Sequence, residues 1–211
     1  MRKQAIYLGF SAALLGLGAS QTAGATSMVT LSAEQLVDAS ELIVRGQVTE
    51  VWTERDDKNR IHTRAQVDVD AVLKGAAPNG ALVVDTVGGT LGGIYTSVAS
   101  IPRFSADEDV LLFLERARDG SWRTVGMVQG KYTVRLDPYT RTEIVQQAHV
   151  PYDKAYDHRF LPLPAEADRA YLADVEAQVE RRVEQGWDGV PIPGVSSEHL
   201  RAISPVRVEV K

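Results

Sequence analysis

The sequence predicts a mainly β protein, built as a small antiparallel barrel with a short helix before it and a longer helix after it. Apolar and polar side chains alternate over residues 61–73, which predicts a long strand with one buried face and one solvent-facing side. The continuous apolar run at residues 110–114 predicts a central strand. Turn-forming residues recur between such segments, as is typical of closely spaced antiparallel strands.

The N-terminus has the pattern of a secretory signal peptide over residues 1–25. Arg2 and Lys3 precede an apolar run, and small residues follow it up to Ala25. The apolar run is well short of the roughly 20 residues that a membrane-spanning helix needs. We therefore expect cleavage near Ala25, a mature chain that begins near Thr26, and a periplasmic or extracellular location.

Composition excludes several classes of protein. The chain has 211 residues, a formal net charge of −5 and no cysteine. Disulfide scaffolds, iron–sulfur clusters, cysteine-zinc sites and cysteine nucleophiles are therefore excluded. The mildly acidic, dispersed charge gives no surface for nucleic acid or anionic lipid. No segment after the N-terminal run is apolar enough to span a membrane, so no membrane span is expected in the mature chain.

The barrel domain is expected over residues 26–145, and a short helix opens it. Ser32 and Gln35 form a capping-box pattern, which predicts a helix over residues 33–40. Polar turn residues at 56–59 and the Asp119-Gly120 pair predict hairpin turns. The predicted strands of this domain are 42–53, 61–73, 81–87, 110–114, 122–127, 132–136 and 140–145.

Helix and irregular chain are predicted after the barrel. Residues 146–164 contain three prolines and are expected to form an irregular wrap. Apolar residues at helical spacing predict a helix over residues 165–185, which Gly186 ends. Residues 186–211 are expected to be a tail. An OB-like barrel fits the whole pattern best, and a two-sheet β-sandwich is the alternative because strand number alone does not separate them.

Several segments together resemble a family of uncharacterised exported bacterial proteins, over about half of the chain. They are DASELIVRGQVTEV, VLKG, VGGTLGGI, IPRF, DEDVLLFL and VGMVQGKYTV. The order of elements is also similar to the netrin/TIMP class of OB barrels, which includes metalloprotease inhibitors. The resemblance implies the barrel fold. It does not carry over the inhibitory mechanism, because those inhibitors use an N-terminal cysteine and this chain has none.

The glycine-rich segment at residues 88–98 is the first candidate binding surface. It is not a phosphate loop, since no Lys-Ser/Thr pair follows it and no helix opens after it. Glycines at barrel bends explain most of the pattern, and the remaining hypothesis is a loop that shapes a groove. The candidate binding residues here and in the turn that follows are Gly92, Gly93, Tyr95, Arg103 and Phe104.

A second candidate surface lies around the sequence QGKYTV. Trp122, Lys131 and Tyr132 could form an aromatic and charged face of the kind on which OB barrels bind ligands. The alternative is that aromatic residues at alternate positions belong to the core, with one polar edge at the surface.

Catalytic and metal motifs are weak in this sequence. No two of the four histidines are spaced as a local metal motif, and the acidic clusters lack the spacing of a calcium loop. His149, Asp153 and His158 could form a site, although a solvated loop explains them as well. No cofactor is predicted.

The sequence thus favours a non-catalytic exported module that binds another protein, either a secreted protease or an envelope protein. Two alternatives stay open. One is a hydrolase that uses His149 or His158 with a nearby aspartate. The other is a structural accessory domain whose C-terminal tail docks on a partner.

Overall fold

The computed structural model describes residues 28–147, 155–156 and 169–204, and it is mainly β. The predicted signal peptide lies outside the described residues. No helix in the described part of the chain is both long and apolar enough to cross a membrane. The elements in chain order are β1 Met28–Val29, α1 Ala33–Ala39, β2 Leu42–Arg55, β3 Ile61–Lys74, β4 Leu82–Val87, β5 Gly89–Leu91, β6 Ile94–Thr96, β7 Asp109–Arg116, β8 Trp122–Thr124, a 3-10 helix Met127–Gly130, β9 Lys131–Leu136, β10 Glu143–Gln147, β11 Ala155–Tyr156, β12 Arg169–Tyr171, α2 Leu172–Gln185 and α3 Ser197–Ile203.

Five strands close into a barrel in the order β7, β2, β3, β4, β8, with β8 pairing back to β7. Each of these pairs is antiparallel except β4 with β8, which is parallel. The predicted small barrel is therefore confirmed over the alternative sandwich, and the strand order is compatible with an OB-like barrel. Strands β9, β10 and β12 continue the sheet outward from β7.

Strands β2 and β3 bend as they pass around the barrel. Each is 14 residues long, and their register shifts at three places, one of them next to Gly46. A Cβ atom on Gly46 would lie 2.1 Å from the carbonyl oxygen of Asp68, so only glycine permits this close approach of the two backbones. The bend lets β2 pair with β7 at one end while β3 pairs with β4 at the other.

Two hydrophobic cores share the same strands. One fills the barrel, and the other lies between the outer side of the sheet and the helices. On β7, Leu112 and Leu114 face the barrel core while Leu111 and Phe113 face the second core. Burial on both sides explains why this strand is a continuous apolar run, and it confirms the predicted central strand.

The helices differ from the prediction mainly at the C-terminal end. Helix α1 has the predicted capping box at Ser32. Helix α2 begins at Leu172 rather than at residue 165, because the three residues before it pair with β10 as β12. The predicted tail contains α3, whose Leu200 is completely buried in the second core. Within the predicted wrap, β11 pairs in parallel with β1.

Candidate functional site

The glycine-rich segment forms a hairpin of β5 and β6 that packs closely on the barrel. Gly88 and Gly89 have φ angles of +101° and +136°, a region that side chains other than glycine rarely adopt. A Cβ atom on Gly89 would lie 2.4 Å from the Thr63 side-chain oxygen. The Thr63 hydroxyl donates a 2.8 Å hydrogen bond to the Gly88 carbonyl, which fixes the base of the hairpin.

A groove of about 250 Å³ lies between this hairpin and the end of the barrel. The hydroxyls of Thr63 and Thr86, which pair in register across β3 and β4, lie on its barrel side. Val98, Ile101 and Phe104 supply apolar walls. We call this feature the hairpin groove. It offers a mixed lining of hydroxyl groups and apolar surface.

Tyr95 and Arg103, both predicted from sequence, meet at the rim of the hairpin groove. The Arg103 guanidinium donates a 3.0 Å hydrogen bond to the Tyr95 hydroxyl, and both side chains line the groove. Phe104 lies in the wall and is 8% exposed. Gly92 and Gly93 form the exposed turn of the hairpin, where an added Cβ atom would meet nothing within 4 Å. These two glycines shape the turn and do not line the groove.

The hairpin and the residues that follow it expose three large apolar or aromatic side chains. Ile94, Tyr95 and Val98 are 52%, 61% and 41% exposed, and they lie within five residues of one another. No carboxylate of the described residues lies within ion-pairing distance of Arg103. The rim thus combines exposed apolar surface with a cation that no described acidic residue neutralises.

The structure does not bring Trp122, Lys131 and Tyr132 together on one exposed face. Trp122 belongs to the barrel core, and Tyr132 packs against Phe113 in the second core with the ring centroids 5.7 Å apart. The reason is register: β8 and β9 both pair with β7 but turn these side chains to different cores. Trp122 and Tyr132 therefore lie in the core, which is the alternative that the sequence left open for these aromatic residues.

Lys131 is a buried ion-pair partner. It is 3% exposed, its ammonium group lies 2.5 Å from a carboxylate oxygen of Glu108, and the Phe104 ring centroid is 5.1 Å away. Burial lowers the pKa of Lys131, although the hydrogen bond and the charge of Glu108 oppose that effect. The Lys131 side chain therefore packs against the Phe104 ring, which forms part of the groove wall. It is too deeply buried to contact a ligand.

A cluster of charged side chains lies on the outer side of β3 and β4, where the sequence predicts a solvated strand face. His62 and Asp85 are each 3% exposed, and the His62 Nδ1 atom is 2.9 Å from an Asp85 carboxylate oxygen. Arg64 and Arg123 approach the same carboxylate at 3.8 and 3.5 Å. The solvent exposure predicted for the polar side of residues 61–73 is wrong at His62, because the β2–β3 and β7–β8 turns cover this part of the face.

These two turns enclose a cleft of about 630 Å³, which we call the turn cleft. The turns form as predicted, with backbone hydrogen bonds between Asp56 and Arg60 in one and between Ala117 and Ser121 in the other. Desolvation opposes the ionisation of Asp56, but hydrogen bonds from the Arg60 backbone and side chain outweigh it and lower the pKa of Asp56 to about 2. Asp56 is therefore a fixed negative charge at the edge of the cleft.

The sequence did not indicate this buried cluster, because its members come from three strands and two turns. The available signal was the run of polar residues at alternate positions of β3 together with a lone Asp85 inside an apolar strand. Among the described residues, no group of three or more histidine, aspartate or glutamate side chains is arranged to hold a metal ion. His149, Asp153 and His158 lie outside the described residues.

Comparisons with known proteins do not assign a function to this site. No model of a known protein family matches the chain, and no curated protein matches it.

Proposed function

We propose that the protein is an exported, non-catalytic binding module, and that it recognises a secreted protease or an envelope protein through the hairpin groove. The observation that carries this proposal is the apolar rim of the hairpin beside Arg103. Export rests on the N-terminal sequence pattern.

The clustering of exposed apolar side chains beside the hairpin groove supports this groove as the binding surface. Eight large apolar or aromatic side chains are exposed among the described residues, and three of them lie at positions 94, 95 and 98. Scattered exposed apolar residues are normal on a protein surface, whereas a contiguous group marks an interaction site. Aromatic and arginine side chains contribute most to protein–protein binding, and Tyr95 and Arg103 lie side by side here.

The same geometry indicates the chemistry of the partner. Arg103 has a hydrogen bond to a neutral phenol and no described carboxylate partner, so it can bind a carboxylate of another protein. The groove beside it has room for an apolar side chain. The segment recognised would carry an aspartate or glutamate next to an apolar residue.

The test is capture of a partner from the secreted and envelope fractions of the source cell. Tagged wild-type protein is compared with Tyr95→Ser, Arg103→Gln and the control Tyr139→Ser. Tyr139 is 93% exposed on the β9–β10 turn, so its loss removes a similar side chain far from the groove in sequence. We expect one stoichiometric partner with wild type and control, and at least about tenfold less with either groove variant. Equal retention by all four proteins, or no partner at all, would contradict the proposal.

A further inference from the structure

His62 lies between two carboxylates that belong to different elements. Its Nδ1 atom is 2.9 Å from Asp85 on β4, and its Nε2 atom is 3.4 Å from Asp56 in the β2–β3 turn. A neutral imidazole has one N–H group, so one ring nitrogen would then present a lone pair to a carboxylate oxygen. An imidazolium presents an N–H group to both. Nδ1 has the shorter contact, with Asp85, so the N–H group of a neutral ring is assigned to Nδ1. The contact of Nε2 with Asp56 then changes from attractive to repulsive when His62 loses its proton.

Charged groups of either sign lie around His62. Arg55, Asp57 and Lys58 line the turn cleft beside it. Four carboxylates and three guanidinium groups are joined to it in one network of ion pairs. They come from β2, the β2–β3 turn, β3, β4, the β7–β8 turn and β8, and they are Glu54, Asp56, Arg60, Arg64, Asp85, Asp119 and Arg123. Asp56 stays ionised over the range in which a histidine titrates, since its pKa is about 2.

Unsatisfied hydrogen-bonding atoms concentrate in this cluster. Among the described residues, the buried side-chain nitrogen and oxygen atoms without a hydrogen-bond partner are His62 Nε2, Arg64 Nε and Arg123 Nε. His62 Nε2 faces Asp56 at 3.4 Å without the alignment of a hydrogen bond. A small movement of the turn would decide whether this contact becomes a hydrogen bond or is lost.

We propose that His62 is a proton-dependent latch between the β2–β3 turn and the barrel. Protonated, it holds Asp56 against β4 and keeps the turn cleft narrow. Neutral, it repels Asp56, so the turn moves away and the turn cleft opens. This device is independent of partner binding at the hairpin groove, because it lies on the outer side of β3 and β4, whereas Thr63 and Thr86 of the groove point to the other side.

A double-mutant cycle tests the latch directly. Wild type, His62→Asn, Asp56→Asn and the double variant are unfolded with urea at about pH 5.5 and about pH 8.5. We expect a coupling between the two positions of about three- to tenfold in the unfolding equilibrium constant at the lower pH, and none within about twofold at the higher pH. Equal coupling at both pH values, or none at either, would overturn the proposal.

A second measurement avoids any variant of the buried histidine. The Nε2 proton of His62 is followed by nitrogen-15 NMR at about pH 5.5 in wild type, Asp56→Asn and Asp57→Asn. Asp57 is the matched control, because it lies in the same turn but is exposed and has no ion pair with His62. We expect the proton to exchange slowly in wild type and in the control, and at least about tenfold faster in Asp56→Asn. The same exchange rate in all three proteins would exclude a latch through Asp56.

Discussion

Single charged residues on the outer side of the barrel join elements that are distant in sequence. Lys74, at the end of β3, is 7% exposed, and its ammonium group donates hydrogen bonds of 2.7 and 3.3 Å to the carbonyls of Val37 and Asp38. It therefore adds to the C-terminal cap that Ser40 provides for α1, whose last turn has no basic residue of its own. Burial lowers the pKa of Lys74 from 10.5 to about 8, although the charge of Asp38 opposes this shift.

The lowered pKa of Lys74 predicts how stability depends on pH. The folded protein loses this proton near pH 8 and the unfolded chain near 10.5, so the free energy of unfolding should rise with pH between these values. The contribution is on the order of 2–3 kcal/mol. In Lys74→Met this contribution is absent, and urea unfolding at several pH values measures the difference between the two proteins. The prediction would be contradicted if the free energy of unfolding changed by the same amount in wild type and variant between pH 8 and 10.5.

At the scale of elements, the hairpin of β5 and β6 is held by its first glycines and is free at its tip. Gly89 packs against Thr63 and Thr53 at the base, whereas Gly92 and Gly93 have open space around them. The hairpin therefore presents Ile94 and Tyr95 from a fixed base. Its orientation depends on the close contact of Gly88 and Gly89 with the Thr63 and Thr53 side chains of the barrel strands.

The two ends of the hairpin should respond differently to the same substitution. Gly89→Ala places a Cβ atom 2.4 Å from the Thr63 oxygen at a φ of +136°, so we expect a loss of about 2–4 kcal/mol in the free energy of unfolding. Gly92→Ala is the matched control, with a φ of +58° and open space, and should cost about 1 kcal/mol. Urea unfolding compares them, and equal losses would show that the hairpin is not anchored through Gly89.

At the scale of the whole molecule, the closed barrel and the second core use both sides of β2 and β7. Helices α1, α2 and α3 cover one side of the extended sheet, and Arg182 of α2 makes hydrogen bonds of 2.9 and 2.6 Å to Asp38 of α1. The hairpin groove and the turn cleft are left as surface features away from this helical layer.

Export is a prediction about the whole chain. Expressed from Met1 in a bacterial host, the protein should be recovered outside the cytoplasm with Thr26 as its first residue. Intact-mass measurement of the recovered protein checks this. Ala25→Phe places a residue too large for the cleavage site and should leave the uncleaved chain. Recovery of the wild-type protein in the cytoplasm with all 211 residues would contradict export.

Local patterns in the sequence determined the fold class and several elements. The capping box at Ser32 and the turn at Asp119-Gly120 were predicted and are present, because each depends on residues within a few positions of one another. The apolar run of β7 likewise indicated burial on both sides without any knowledge of its neighbours. Tyr95 and Arg103, placed on the candidate surface from sequence, lie together at one groove.

Only the tertiary structure decided which side chains meet. His62 pairs with Asp85, and Lys131 pairs with Glu108, each across 23 positions of sequence. These contacts depend on strand register and on how the barrel closes, which alternation within one strand does not specify. The same cause places Trp122 and Tyr132 in different cores, and it turns a strand face expected to be solvated into the buried floor of the turn cleft.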